Sequence, residues 1–243
     1  MKRWIFWIAM SLLLLVVFAP ARALYWLPLP ANVQLEQLSG SLWSGGAGVV
    51  KVDRQWFYDV QWQVQPLQLA TGNAVVSLQV PATDNSVTLE GQVSYGINGL
   101  QVSELQAKGA LQDLLTMTNV TMPLATRGNW SLVVNAYQWD TRQGLCQALD
   151  GQGEGRDIQV LVNGNWQSLG NFPVSLSCTD HNAVGLTMNG SNSLGLNFEA
   201  ALFADRFNVN GTVKPNTRTP EALTQMLQYL GQPDAQGRYR FSL

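Results

Sequence analysis

Two cysteines, one histidine and a scatter of acids are the residues from which this chain of 243 could build chemistry. Cys146 and Cys178 are too far apart in sequence to form a short metal-binding pair, and His181 is the only imidazole, so no zinc-type ligand set is assembled. In an exported chain a single pair most simply forms one disulfide, the alternative being two buried free thiols. The loop it closes, about thirty residues, corresponds to roughly 3.5–4 kcal/mol on the chain-entropy account. Hydrolytic chemistry has little to work with. There is no G-x-S-x-G turn and no nucleophile paired with a base. His181 follows Thr179-Asp180 in a turn and reads as solvated. The glycines of Gly151-Gln152-Gly153-Glu154-Gly155 lack the lysine and helix start of a phosphate loop and read as a turn or a bulged strand pair. Asp84, Glu90, Glu104 and Asp113 fall on different elements and read as surface charges. We therefore expect no catalytic residues, no metal and no cofactor.

The aromatic and aliphatic positions are more informative. Trp56, Phe57, Tyr58 and Trp62 crowd one segment, and Trp130, Tyr137 and Trp139 another. The plainer reading is core and edge packing. The sharper one is an apolar groove or docking face, with Trp56, Tyr58, Trp62, Leu78, Leu89, Val102, Trp130 and Trp139 as its candidate residues.

Composition narrows the classes. Charged residues make up 12% of the chain, about half the usual ~25%. The formal charge is −2, with scattered basic residues apart from Arg238 and Arg240. Nucleic-acid binding, which needs a basic stripe against the phosphates, is not expected. The polar surface must come from Gln, Asn, Ser, Thr and Gly, a composition suited to strands and turns.

The elements that position these residues begin with an apolar segment. Lys2 and Arg3 precede an apolar run from Trp4 to Ala19 broken only by Ser11, and Tyr25 and Trp26 follow. Residues 4–27 are long enough to cross a bilayer with aromatic residues at both edges, and the positive-inside rule leaves residues 1–3 in the cytoplasm. Ala21-Arg22-Ala23 also has the small-x-small form of a signal-peptide cleavage site, so a cleaved leader is the alternative. Residues 28–31, with Pro28 and Pro30, read as a stiff linker.

From residue 32 onward apolar residues recur with a period of two, interrupted by Gly, Asn and Asp turn signals. Leu35 to Val50 forms the first corner, where Ser39, Gly40, Ser44, Gly45 and Gly46 allow a sharp bend or a close approach. Asn163-Gly164-Asn165 predicts a hairpin. Leu111 to Met117 fits either a helix or a strand. One helix is clear: Thr219 caps it, Pro220 starts it, Leu223, Met226, Leu227 and Leu230 form its stripe, and Gly231 ends it. We expect an all-β fold, a curved, mostly antiparallel sheet or open sandwich over residues 32–243 with one short C-terminal helix. Two similar halves are expected around 32–122 and 128–243. A short outer-membrane barrel would alternate in the same way, but the anchor and the late helix argue against it.

The apolar start, proline linker, Leu38-Ser39-Gly40-Ser41-Leu42-Trp43-Ser44-Gly45 turn, Gln61-Trp62-Gln63-Val64-Gln65-Pro66 strand and Leu223–Gly237 region together resemble the type II secretion system protein N family, over essentially the whole chain. The resemblance implies a non-enzymatic accessory component of the pathway that exports folded proteins across the outer membrane of Gram-negative bacteria. It implies a single-pass inner-membrane protein with a periplasmic domain, partnered by other inner-membrane subunits of that machinery. The family also resembles AsmA-like β-rich membrane proteins. That gives an alternative reading, a lipid-handling module whose trough, lined by Trp62, Leu78, Leu89 and Val102, holds phospholipid acyl chains.

Overall fold

Alternating apolar and polar residues can bury one face only by lying in a pleated ladder, and among the described residues the chain does so in thirteen strands. The computed structural model describes residues 4, 7, 10, 11, 14, 15, 17–26, 29–97, 99–118, 120, 122–140, 144–227 and 231–242, with the side chains of Asp140 and Met226 excluded. Every strand pair resolved in register is antiparallel between sequence neighbours. The fold is thus all-β with few helices, as expected. It divides into two compact units, Met1–Asn85 and Ser86–Leu243.

In the first unit, β1 (Val33–Gly40), β2 (Ser44–Val52), β3 (Gln55–Val64) and β4 (Ala74–Val80) form a meander, and α1 (Pro66–Leu69) joins β3 to β4. A 3-10 helix at Ala21–Trp26 precedes β1. It lies on the first corner: Pro20 bridges Ser41, the Leu42 N–H donates to the Ala19 carbonyl at 3.0 Å, and Ala21 packs with Leu38 and Ala47. The described residues among 4–17 are helical. Phe6 and Leu27 of the expected anchor lie outside the described residues, as do Lys2 and Arg3. Among the described residues no helix is long and apolar enough to cross a membrane.

The second unit holds β5 (Val87–Gly96), β6 (Gly99–Ala110), β7 (Thr126–Asp140), β8 (Gly144–Val162), β9 (Asn165–Cys178), β10 (Val184–Met188), β11 (Leu196–Leu202), β12 (Phe207–Val213) and β13 (Tyr239–Ser242). The ambiguous Leu111–Met117 segment is a helix, α2, and the C-terminal helix, α3, covers Glu221–Leu227. Leu223 faces inward at 9% exposure, while Leu230 lies outside the described residues. The Thr219 hydroxyl, expected as a cap, instead donates to the Ser193 carbonyl at 2.6 Å and accepts from the Asn216 N–H. It fastens the segment before α3 to the loop before β11. The hairpin of β8 and β9 turns at Asn163 and Gly164, both left-handed at φ 50° and 78°. Gly151, Gly153 and Gly155 lie within β8.

The alternation is not uniform, and the irregularities are built in. Gln37, Asp59, Glu104 and Asp157 adopt φ of 51–55° inside strands. Asn135 is an extra residue on β7, where Val134 faces Gly151 but Ala136 faces Asp150. Such interruptions shift the inward face by one residue and locally bend the strand. Thus Leu35 and Leu38 both face the same cluster, three apart across Gln37, as do Val50 and Ala47 on β2.

Candidate functional site

The expected candidate face separates along β3. Residues directly opposed across an antiparallel ladder share a face. Beyond Asp59, Trp62 opposes Leu78 and packs against the Ala21–Leu38–Ala47 cluster, its indole N–H donating to the Leu42 carbonyl at 3.1 Å. Gly45 is required beneath it, since a Cβ there would lie 2.6 Å from the Trp62 ring and 2.7 Å from two backbone carbonyls. Before Asp59 the ladder has the other parity: Phe57 opposes Val50 on the clustered side, while Trp56 and Tyr58 point away, 46% and 39% exposed. Trp56, Tyr58 and Trp62 therefore do not form one surface; the left-handed residue at Asp59 reverses the parity between them. Lys51, opposite Trp56, places its ammonium 5.1 Å from the indole centroid. Where β4 stops short of Tyr58, the Asn85 amide takes over the pairing, accepting from the Tyr58 N–H at 2.7 Å and donating to its carbonyl at 2.8 Å. The sequence marks Asn85 only as a turn residue; nothing in the pattern indicates this role.

In the second unit the irregularities unite what the plain period of two separates. Leu89 opposes Ala107, and Ala107 opposes Leu132. Val93 opposes Val102, and Val102 opposes Tyr137. On β5 residues 89, 91 and 93 alternate without a left-handed residue, so Leu89 and Val102 share a face. The displaced register at Glu104 and Asn135 brings Tyr137 and Trp139 onto that face with Trp130, Leu132 and Val134. The Tyr137 hydroxyl donates to the Leu145 carbonyl at 2.6 Å, and burial raises its pKa above the ordinary phenol value. Among the described residues the buried Trp130 indole nitrogen has no hydrogen-bond partner.

A cavity of about 370 Å³ opens within this unit, among β8, β9, α2 and α3. Ile158, Val160, Leu169, Phe172, Leu194 and Leu223 line it, and the atoms that face it are apolar. Asp157 sets it up: Gly155 opposes Phe172, then the left-handed residue lets Ile158 and Val160 face inward as well. The Asp157 N–H donates to the Asn171 side chain at 3.1 Å, fixing the kink. None of these cavity residues is among the eight candidates, because aromatic crowding and uninterrupted alternation do not mark them.

The titratable residues do not converge. His181 is exposed in the turn after β9, and Glu90 and Glu104 are exposed on their strands. Among the described residues no group of three His, Cys, Asp or Glu side chains could hold a metal ion. Cys146 and Cys178 form the expected disulfide, 32 residues apart, with Cys146 fully buried. It joins the start of β8 to the end of β9, next to a bond from the Cys146 N–H to the Asn182 carbonyl.

Comparison with known proteins adds what the geometry leaves open. A family model described as Type II secretion system (T2SS), protein N, matches residues 31–242. The chain is 26% identical over 234 residues to type II secretion system protein N of Vibrio cholerae serotype O1, covering 93% of this chain and 90% of that protein. It is 29% identical over 220 residues to the protein of that name from Aeromonas hydrophila, covering 88% and 84%. To the Klebsiella pneumoniae protein of that name it is 25% identical over 242 residues, covering 97% and 88%. No solved structure matches the chain.

Proposed function

The chain belongs to the type II secretion system protein N family and is an accessory component of that secretion system, and from this premise we propose that it acts without catalysis, as an inner-membrane-anchored β-scaffold. The apolar segment that begins at Trp4 holds it in the inner membrane and ends before the 3-10 helix at Ala21–Trp26, which lies on the β-domain; residues 1–3 are in the cytoplasm and the β-domain is in the periplasm. The single observation that carries the reading is the family match across the β-domain, residues 31–242. The strand interruptions at Gln37 and Asp59 in the first unit, and at Glu104 and Asp157 in the second, each bend their own strand locally. The intramolecular disulfide fits an oxidising compartment. Other inner-membrane subunits are the partners, and the exposed Trp56–Tyr58 side of β3 is the surface we assign to them.

In-cell photo-crosslinking tests this. A photo-reactive residue at Trp56 is expected to give adducts with secretion-system subunits, and deletion of the gene to impair export of a secreted enzyme. Normal secretion together with no subunit adduct would sink the scaffold reading. A lipid-handling role is favoured by one separate observation, the cavity in the second unit, whose volume falls within the range of ligand pockets and whose facing atoms among the described residues are apolar. Native mass spectrometry of the purified full chain distinguishes it: co-purified phospholipid that is lost in Leu223→Trp supports it, and a lipid-free protein counts against it.

A further inference from the structure

The end of the first unit at which the apolar N-terminal segment arrives is unlike its opposite end. β1 runs toward the Gly40–Ser44 turn, β2 runs away and β3 returns, so α1 stands at the same end as that turn. Hydrogen bonds tie the three pieces together. The Leu42 N–H donates to the Ala19 carbonyl at 3.0 Å, and the Val64 N–H donates to the Trp43 carbonyl at 2.7 Å, two residues before α1. On α1, Leu67 is 85% exposed and Leu69 42% exposed. No Asp, Glu, Lys or Arg occurs from Gln37 to Val50 or from Val60 to Thr83. The turns at the other end carry Asp53, Arg54 and Asp84. The charged residue near the arriving segment is Arg22, exposed and adjacent to Ala21.

We propose that α1 is a second membrane contact: Leu67 and Leu69 enter the headgroup–acyl boundary of the same bilayer that holds the apolar segment before Pro20, with Arg22 at the level of the phosphates. The inference rests on the anchor reading above. Two exposed leucines on a one-turn helix are a weak membrane ligand by themselves, since interfacial binding scales with buried apolar area. A covalently attached anchor at the same end of the unit removes the cost of bringing them to the surface, because the second contact is then intramolecular. A charge-free rim is what such a contact needs, because an ionised carboxylate held against hydrocarbon is strongly disfavoured. Two points of attachment fix the direction in which the first unit leaves the membrane, where one does not.

The test uses the full chain in vesicles of phosphatidylethanolamine and phosphatidylglycerol. An environment-sensitive fluorophore is attached to Leu15→Cys, Leu67→Cys, Leu69→Cys or Asp53→Cys in separate samples; the native cysteines are disulfide-bonded and do not react. Lipid-borne doxyl groups are expected to quench the labels at 15, 67 and 69 severalfold more than the label at 53, and aqueous iodide to show the reverse order. If the label at 15 is quenched by lipid while those at 67 and 69 behave like 53, the anchor stands and the second contact is overturned. If the label at 15 also behaves like 53, the anchor reading fails and this inference with it.

Discussion

The two units cover the same kind of apolar face in different ways. In the first, the cover comes from outside the meander: the Ala21–Trp26 segment lays Ala21 and Leu24 over Leu35, Leu38, Ala47 and Val50. The buried residues there are small, with Ala21 and Ala47 each 1% exposed, and the approach is close enough that Gly45 tolerates no side chain beneath Trp62. In the second unit the cover comes from excursions between strands. α2 and the segment after it, the loop before β11, and α3 place Leu111, Leu124, Leu194 and Leu223 over Ile158, Val160, Val162 and Leu169. That packing is looser and leaves the apolar cavity. Alternation along a strand states that one face needs a cover; it does not state which segment supplies it or how closely.

The difference is sharpest under reduction. The second unit carries the disulfide, and the first has no cysteine. Replacing both Cys146 and Cys178 with Ala is expected to lower the stability of the second unit by about 3.5–4 kcal/mol on the chain-entropy account. Denaturant unfolding reads the loss, and segment-resolved hydrogen exchange locates it. Exchange is expected to rise most across residues 144–184. An equal rise across β1–β3 would show that the two units do not hold their strands independently. A smaller effect belongs to the first unit. Gly45→Ala sets a Cβ against two carbonyls and the Trp62 ring, at about 1–3 kcal/mol for an overpacked site. In a Trp62→Phe background the ring contact is relieved while the carbonyl contacts remain, so the same substitution is expected to cost less there. Strict additivity of the two changes would mean that the corner is set by its backbone alone and that Trp62 does not press on it.

Much of this is legible in the chain, and the departures from plain alternation have a common cause. The period of two gives the strands, Asn163-Gly164 gives the hairpin between β8 and β9, and the cysteine pair gives the disulfide. The all-β class and the family resemblance follow from the same features. Phe57, Tyr137 and Trp139 look like exceptions to the alternation. In the structure they mark where it changes phase, because Asp59, Glu104 and Asn135 interrupt the ladder beside them. Asp and Asn, and to a lesser degree Glu, are poor strand formers in mid-strand, and Asp and Asn tolerate the left-handed region better than most residues. A polar residue of this kind next to a break in the apolar period is therefore the readable trace of a parity change. Reading across it as an uninterrupted strand is what grouped Trp56, Tyr58 and Trp62. The cavity was not legible, because Leu111, Leu124, Ile158 and Leu223 come from four separated segments joined only by tertiary packing. The role of Asn85 was hidden for the same reason.

The smallest expected effect concerns how the second unit closes its last strand. β13 is four residues long and pairs with Asn210–Val213. The turn before it is organised by Asp234. Its Oδ1 accepts from the Arg238 and Gln236 N–H groups at 3.0 and 2.9 Å, and its Oδ2 accepts from the Arg238 guanidinium at 2.9 Å. The backbone N–H of Arg238 is the leading cause that lowers the carboxyl pKa from 3.8 to about 2; partial desolvation opposes it, and the Gln236 N–H and the Arg238 side chain add to it. Because the folded value lies below the unfolded one, the ionised form favours the folded turn. That contribution is complete above pH 3.8, declines as pH falls toward about 2, and is absent below it. Amide protection of Tyr239–Ser242 is therefore expected to weaken across that window. Asp234→Asn keeps an oxygen for the two backbone donors but carries no titratable charge, so its protection profile is expected to be flat there. The corner of the first unit is held by neutral groups, Ala19 to Leu42 and Trp43 to Val64, and the amides of Leu42 and Val64 serve as the internal reference. Equal weakening at those amides would assign the pH response to the fold as a whole and not to Asp234.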